Sequence, residues 1–173
     1  MPRIPGSLLN LLDKTLDKNE RVLWQGRPDA WTDMMMLRFL WWIGVQWMTL
    51  AIVATQRGWI DESAPFFLLA GVAMLAGPIA VYIQDLQTLF VVTDRRALIL
   101  RTAWSKKVAT STSFDAMDKE LEVLLVSGDV GHLNFASGVS TKKQDSDYSG
   151  RYGFRCVKDV EKVRALLAGA RAK

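Results

Sequence analysis

The stretch LQTLFVVTDRRALILRTAW, residues 86–104, decides how the chain divides. It follows an apolar run almost directly, and it holds two short segments rich in β-branched and aromatic residues, 88–93 and 96–101. The polar segment TDRR between them suits a tight turn, whereas a continuous helix would carry these charges in its middle and lose its apolar face. The pattern therefore predicts a β-hairpin that folds in water.

Two apolar runs precede this hairpin. Residues 64–83 carry no charge, and residues 34–54 are interrupted only by Arg38 and Gln46. A helix of about 20 residues covers about 30 Å, the thickness of the hydrocarbon core of a bilayer. Arg38 lies near the start, where its side chain can reach the interface, and Gln46 is expected to hydrogen-bond between helices. The rest of the chain is too short to bury two such helices, so both are predicted to span a membrane.

The connection between the runs predicts their orientation. Residues 55–63 carry one Arg against Asp61 and Glu62, whereas the flanking segments are richer in Arg. The excess of positive charge on the cytoplasmic side of membrane helices places both termini in the cytoplasm. So short a connection makes the helices antiparallel neighbours. Small residues four apart would let them approach closely; these are Ala73 with Gly77 and Ala76 with Ala80. Tryptophans are available for the membrane interfaces; these are Trp41, Trp42, Trp47 and Trp59.

The segment after the opening hairpin is predicted to continue as antiparallel sheet. Short apolar or alternating segments, separated by polar turns, are read as further strands; these are 106–114, 121–127, 131–137 and 152–157. Gly128 is expected to supply a positive φ in one turn. The last residues form a helix with Asp159 as N-cap and one apolar face; that face is Val160, Val163, Leu166 and Leu167.

The N-terminal residues carry a pattern of their own. Leu8, Leu12 and Leu16 form an apolar stripe on a short helix, which either docks on the sheet or lies on the membrane surface; docking is the commoner outcome. Residues 20–29 are read as strand and turn. The predicted organisation is a cytoplasmic arm over 1–33, a two-helix transmembrane hairpin over 34–83 and a cytoplasmic domain over 84–173. The fold class is a membrane α-helical hairpin plus an α+β domain, an antiparallel sheet capped by a C-terminal helix.

Composition excludes several classes of function. The net charge is +4, and the excess lies in residues 84–173, too weak a bias for a nucleic-acid surface. Cys156 is the one cysteine and is expected to be a small buried hydrophobe. His132 is the one histidine, and no zinc-binding spacing surrounds it. The sequence lacks the common motifs of nucleophilic or phosphate chemistry. His132 follows a turn in an alternating segment, so it is expected on a strand surface. No enzyme activity, cofactor or metal is predicted.

The order of elements resembles the bacterial membrane-associated pleckstrin-homology-like proteins with two transmembrane helices. Members carry a Glu-x-x-Leu-Trp-x-Gly-x-Pro element before the spans and a Tyr-x-x-Thr-x-x-Arg hairpin after them. In the second element Phe90 replaces tyrosine. The matching residues are Glu20, Leu23, Trp24, Gly26, Pro28, Thr93 and Arg96. The resemblance implies a pleckstrin-homology-like partial barrel in the bacterial inner membrane and no catalytic residues. A complete domain of that class has seven strands, so either residues 20–28 supply a strand or the barrel is abbreviated.

The leading functional hypothesis is a non-enzymatic module that presents a binding or scaffold surface at the cytoplasmic membrane face. The alternatives are an accessory subunit of a larger membrane complex and a small membrane enzyme. The predicted partners are the lipid bilayer and a protein or second copy, with no nucleic acid. If strand 88–93 rises from the membrane, the next strand returns toward it and brings basic residues near lipid headgroups. Two candidate lipid or partner patches follow, although solvated turns are the commoner explanation for such residues; these are Trp104, Lys106 and Lys107, and Lys142 with Lys143.

Overall fold

The computed structural model describes residues 4–103, 106–136 and 152–172, without the side chains of residues 103 and 106. These residues divide into two compact units. The sheet unit comprises 1–29 and 84–173, and the hairpin unit comprises 30–83. The sequence predicts a separate N-terminal arm over 1–33. In the structure, residues up to 29 belong to the same unit as the C-terminal strands.

The sheet unit is an α+β structure with two antiparallel sheets in its described residues. The first sheet has the order β1-β2-β3-β4, and the second has the order β5-β6-β7. The strands of the first sheet are β1 Val22–Gly26, β2 Thr88–Thr93, β3 Arg96–Ala103 and β4 Lys106–Ser113. Those of the second are β5 Glu122–Ser127, β6 Val130–Ala136 and β7 Tyr152–Val157. A short 3₁₀ turn, Phe114–Ala116, follows β4.

The opening stretch is the β2–β3 hairpin, as its pattern predicts. Val91 pairs with Leu98 and Phe90 pairs with Ile99, and every residue of β2 is buried. Strand β1 pairs antiparallel with β2, with Gly26 opposite Phe90. Residues 20–28 therefore do supply a strand.

The main core is formed by residues of both sheets and of the C-terminal helix α5, Val160–Arg171. Phe154 stacks on Phe90 with ring centroids 4.7 Å apart and meets Phe135 edge-on at 5.1 Å. The predicted apolar face of α5 enters this core through Val160, Val163 and Leu167. Asp159 lies at the N-cap with φ +52° but makes no capping hydrogen bond, and its carboxylate instead pairs with Lys162. Gly128 has the positive φ that the turn requires.

A second core forms on the other face of the first sheet. Leu8 and Leu12 of helix α1, Gly6–Thr15, are buried against apolar residues of β2 and β3. Because alternate residues of a strand point to opposite faces, Leu89 and Val91 serve this core while Phe90 and Val92 serve the main one. The helix docks on the sheet, which was the favoured of the two sequence-based alternatives.

The hairpin unit contains α2 Ala30–Met36, α3 Arg38–Gln56 and α4 Ala64–Asp85. Within the described residues, two helical stretches, Phe39–Gln56 and Ala64–Asp85, are long and apolar enough to cross a membrane. The first begins later than the predicted 34–54, after a break at Leu37. Helix α4 continues through Pro78.

Contacts between α3 and α4 differ from the predicted ones. The indole N–H groups of Trp41 and Trp47 donate to the carbonyl oxygens of Leu75 and Phe67, at 3.0 and 2.9 Å. Gln46, the expected interhelical partner, is exposed.

Close helix packing occurs at glycines outside the predicted small-residue pairs. A Cβ on Gly44 would lie 3.0 Å from Leu75 Cδ2, and one on Gly71 would lie 2.4 Å from Met48 Sδ. Gly77, by comparison, makes only an ordinary contact with Leu40. Closest approach is set by which face of each helix meets the other, and that face cannot be read from small-residue spacing alone.

Candidate functional site

A buried ion pair joins the N-terminal residues to the β2–β3 turn. Arg96 Nε lies 2.9 Å from Glu20 Oε1 and its terminal nitrogen lies 2.7 Å from Oε2, so the contact is bidentate. The Glu20 side chain has no exposed surface. The same guanidinium nitrogen also donates to the Thr15 carbonyl and to Asp17 Oδ2, at 3.0 and 3.1 Å. The Arg96 guanidinium at the start of β3 thus contacts both the end of α1 and the turn that follows it.

Thr93 completes this arrangement from the end of β2. Its hydroxyl lies 2.7 Å from Glu20 Oε1 and accepts the backbone N–H of Arg96 at 3.0 Å. The Asp17 backbone N–H donates to Glu20 Oε2 at 2.9 Å. Both carboxylate oxygens of Glu20 therefore accept hydrogen bonds, as a buried carboxylate requires. We call Glu20, Thr93, Arg96 and Asp17 the motif clamp.

The motif clamp sets the ionisation of its acid. The Arg96 hydrogen bonds lower the pKa of Glu20 from 4.5 to about 2, against the opposing effect of burial. The same contact raises the pKa of Arg96. Both groups are charged at neutral pH, and the arrangement has no group poised for proton transfer there. Its hydrogen bonds connect the end of α1 and the following turn to β2 and β3. Sequence reasoning found three of its members, and Asp17 was missed because it belongs to no motif.

The remaining motif residues form a second cluster along β1. The ring of Trp24 lies over Gly26 so closely that a Cβ there would stand 2.3 Å from Cζ2 of the indole. The same ring approaches Phe154 at 6.0 Å between centroids. Pro28 bridges to Val157 of β7, and the Asp29 N–H donates to the Cys156 carbonyl at 2.7 Å. These contacts link the first sheet to the second, whereas Leu23 is exposed.

The segments through which the chain leaves and re-enters the sheet unit are both fastened within it. Arg27 donates to the Leu86 carbonyl, and Lys158 lies 3.4 Å from Asp29. The Thr88 hydroxyl donates to the Gln84 carbonyl at 2.9 Å and accepts from Arg101 Nε at 3.1 Å. The entry and exit of the inserted hairpin are therefore ordered parts of the sheet unit.

His132 is buried, which corrects the prediction of a strand surface. Its Nδ1 accepts the backbone N–H of Cys156 at 3.1 Å. Cys156 has a φ of +47°, and the β6–β7 register shifts beside it, so the imidazole satisfies a backbone group at an irregularity in the ladder. Cys156 itself is fully buried, as predicted. The alternation of residues along β6 could not show that the face carrying His132 is buried.

The predicted lipid-contact residues are only partly described. Trp104, Lys142 and Lys143 lie outside the described residues, and of Lys106 only its place at the start of β4 is described. Lys107 is exposed on β4, opposite Thr102. A role for these residues in lipid contact stays a prediction.

An exposed apolar edge was not anticipated from sequence. Leu124 and Leu125 of β5 are 52% and 60% exposed. β5 ends the second sheet, and no further strand pairs with it among the described residues. Beside its start lies an open groove of about 640 Å³, lined on one side by Glu120 and Leu121 and on the other by Arg164 and Ala168. Two consecutive leucines in a strand point to opposite faces, so the sequence could have indicated that β5 presents an apolar side chain on each face.

The sequence matches none of the protein-family models, curated proteins or solved structures with which it was compared.

Proposed function

We propose that the chain is a non-enzymatic, membrane-anchored binding module of the pleckstrin-homology-like class. It sits in the bacterial cytoplasmic membrane with both termini in the cytoplasm and presents its sheet unit as a scaffold surface there. The observation that carries the proposal is the insertion of the apolar helices α3 and α4 between β1 and β2, two strands that pair with each other.

The strand inventory supports the class. A complete pleckstrin-homology-like domain requires seven strands and a closing helix, and the described residues supply a four-stranded sheet, a three-stranded sheet and α5. Six of these strands follow the two apolar helices, and β1, which precedes the helices, is the seventh. The motif residues that carry the resemblance meet in the motif clamp and along β1, where they hold the N-terminal residues to both sheets.

The hairpin unit supports membrane anchoring. Many of its large apolar side chains are exposed, and they lie on helices long and apolar enough to span a bilayer. The connection between the helices carries Arg57 against two acids, and the flanking segments are richer in Arg, so the positive-inside rule favours cytoplasmic termini. The bilayer supplies the apolar surroundings that the helix faces need.

A binding role fits the described side chains better than catalysis does. His132, the one histidine of the chain, is buried with Nδ1 engaged by a backbone N–H, so it is not presented to a substrate. The acid and base of the motif clamp are held to each other as a charged pair.

Replacement of the hairpin tests this function. Residues 30–83 are exchanged for an unrelated two-helix membrane hairpin, and a photo-crosslinking amino acid is placed at Lys107. The binding module keeps both its membrane fractionation after alkaline carbonate and its pattern of crosslinked products. An accessory subunit that recognises its complex through the spans loses the crosslinks, and that result would overturn the proposal.

Deletion of residues 30–83, with Asp29 joined to Gln84 by a short linker, is the matched control. The sheet unit is then expected in the soluble fraction. A deleted form that still resists carbonate extraction would show that the membrane anchor lies elsewhere in the chain.

A further inference from the structure

The outer edges of β4 and β5 are built differently. β4 ends the first sheet and β5 ends the second. The exposed side chains of β4 include Lys107 and Ser111, and polar or charged residues are the usual protection of an edge strand. β5 exposes two large apolar side chains, Leu124 and Leu125, between the polar residues Glu122 and Ser127. An exposed apolar edge strand is a template for pairing with another chain, so among the described residues β5 is the less protected of these two edges.

The surroundings of β5 are acidic although the whole chain has a net charge of +4. Residues 115–129 carry five carboxylates against one ammonium group, a net charge of −4, and all six groups are exposed. They are Asp115, Asp118, Lys119, Glu120, Glu122 and Asp129. The nearby guanidinium groups of α5 are engaged, since Arg164 pairs with Glu161 at 2.8 Å and Arg171 donates to the Met117 and Asp118 carbonyls.

We propose that the outer edge of β5 binds an extended segment of a partner protein as a fourth, antiparallel strand of the second sheet. The segment carries apolar residues at alternate positions, which cover Leu124 or Leu125, and Lys or Arg at its ends, which meet the acidic flanks of β5. Backbone hydrogen bonds hold the added strand, and side chains of alternate residues give it specificity. The inference rests on the proposed binding role and names the surface and the partner chemistry for it.

Charge disfavours a second copy of this chain as the occupant. Two-fold antiparallel pairing of β5 with itself brings the start of one strand beside the end of the other. Glu122 of one copy then lies near the β5–β6 turn of the second, which carries Asp129, and both residues are acidic. Like charges placed opposite each other across strands are destabilising. A basic extended segment gains from the same acidic groups.

Peptide selection on the full-length chain in nanodiscs tests the proposal. The probe is a display library of random twelve-residue peptides, counter-selected against empty nanodiscs. We expect enriched peptides with alternating apolar residues and terminal Lys or Arg. Their affinity falls tenfold or more for Leu124→Asp/Leu125→Asp and falls as salt is raised, because charges contribute. The matched variant Ala109→Asp/Ser111→Asp on the β4 edge leaves their affinity unchanged.

Two controls separate the outcomes. N-methylation of alternate amides in a bound peptide abolishes binding if the peptide adds as a strand. Enriched peptides that bind the β5 variant as well as wild type, or the absence of any enrichment, would overturn the proposal. So would a dimer in sedimentation that the β5 variant abolishes, since the occupant would then be a second copy. Any of these results leaves the hairpin-replacement result unaffected, so failure here is distinct from failure of the proposed function.

Discussion

The sheet unit and the hairpin unit place similar apolar side chains in opposite surroundings. In the sheet unit, Phe154 and Leu98 have no exposed surface. In the hairpin unit, Trp42 is 74% and Phe66 71% exposed. A folded chain in water does not leave so many large apolar groups uncovered on adjacent helices. One unit thus covers its own apolar side chains, whereas the other leaves many of them uncovered on helices long and apolar enough to cross a membrane.

Removal of a phenylalanine ring should change the stability of the sheet unit strongly when the ring lies in that unit and not at all when it lies in the hairpin unit. Phe154→Ala removes a ring that stacks on Phe90 and meets Phe135, and it should lower the free energy of unfolding of the sheet unit by about 3–5 kcal/mol. Phe66→Ala, at an exposed helix position, should leave that unfolding unchanged. Urea unfolding in detergent, followed by hydrogen–deuterium exchange of β2 and β3, measures both. Equal effects of the two substitutions would contradict the division into units.

A charge introduced at an exposed apolar position should have different effects in the two units. Val72 and Leu124 are similarly exposed, at 50% and 52%. Val72→Arg should make membrane insertion less favourable by about 3 kcal/mol, because arginine near the middle of a bilayer is costly. Leu124→Arg should change stability by no more than about 0.5 kcal/mol, because it meets water. Carbonate extraction and urea unfolding report the two results. Normal insertion of the Val72→Arg chain would count against a lipid environment for α4.

The motif clamp predicts an acid sensitivity confined to the sheet unit. The folded state holds the pKa of Glu20 at about 2 against 4.5, so its contribution is complete above pH 4.5 and is lost as the pH falls toward 2. That loss amounts to about 3 kcal/mol. Glu20→Gln should flatten this part of the stability–pH curve, and Glu120→Gln, an exposed control, should not. A Glu20→Gln curve that keeps the full wild-type slope would show that the motif clamp is not the source.

The smallest expected effect concerns two glycines of the sheet unit. Gly169 lies in α5 with open space where a Cβ would stand, so Gly169→Ala should stabilise by about 0.5–1 kcal/mol. Gly128 has a φ of +59°, so Gly128→Ala should destabilise by about 1 kcal/mol. Thermal unfolding gives both shifts. A change of the same sign for the two substitutions would contradict the described backbone.

The strands and apolar helices were predictable from sequence because their patterns are local. Alternation and turn residues located β2 and β3, and an uncharged run located α4. Contacts between distant segments were not predictable in this way. Asp17 joins the motif clamp because the chain turns back between α1 and β1, and His132 is buried because β7 bulges beside it. The exposure of Leu124 and Leu125 depends on which strand ends the sheet, a matter of topology rather than of composition.

The most direct test of the account is the accessibility of single cysteines in intact bacterial cells. In a Cys156→Ala background, a membrane-impermeant maleimide is applied to Ser63→Cys in the hairpin connection and to Lys107→Cys on β4. We expect that Ser63→Cys is labelled in intact cells and that Lys107→Cys is labelled only after the membrane is permeabilised. Equal labelling of both positions in intact cells, or recovery of the protein in the soluble fraction, would contradict a membrane hairpin with a cytoplasmic sheet unit.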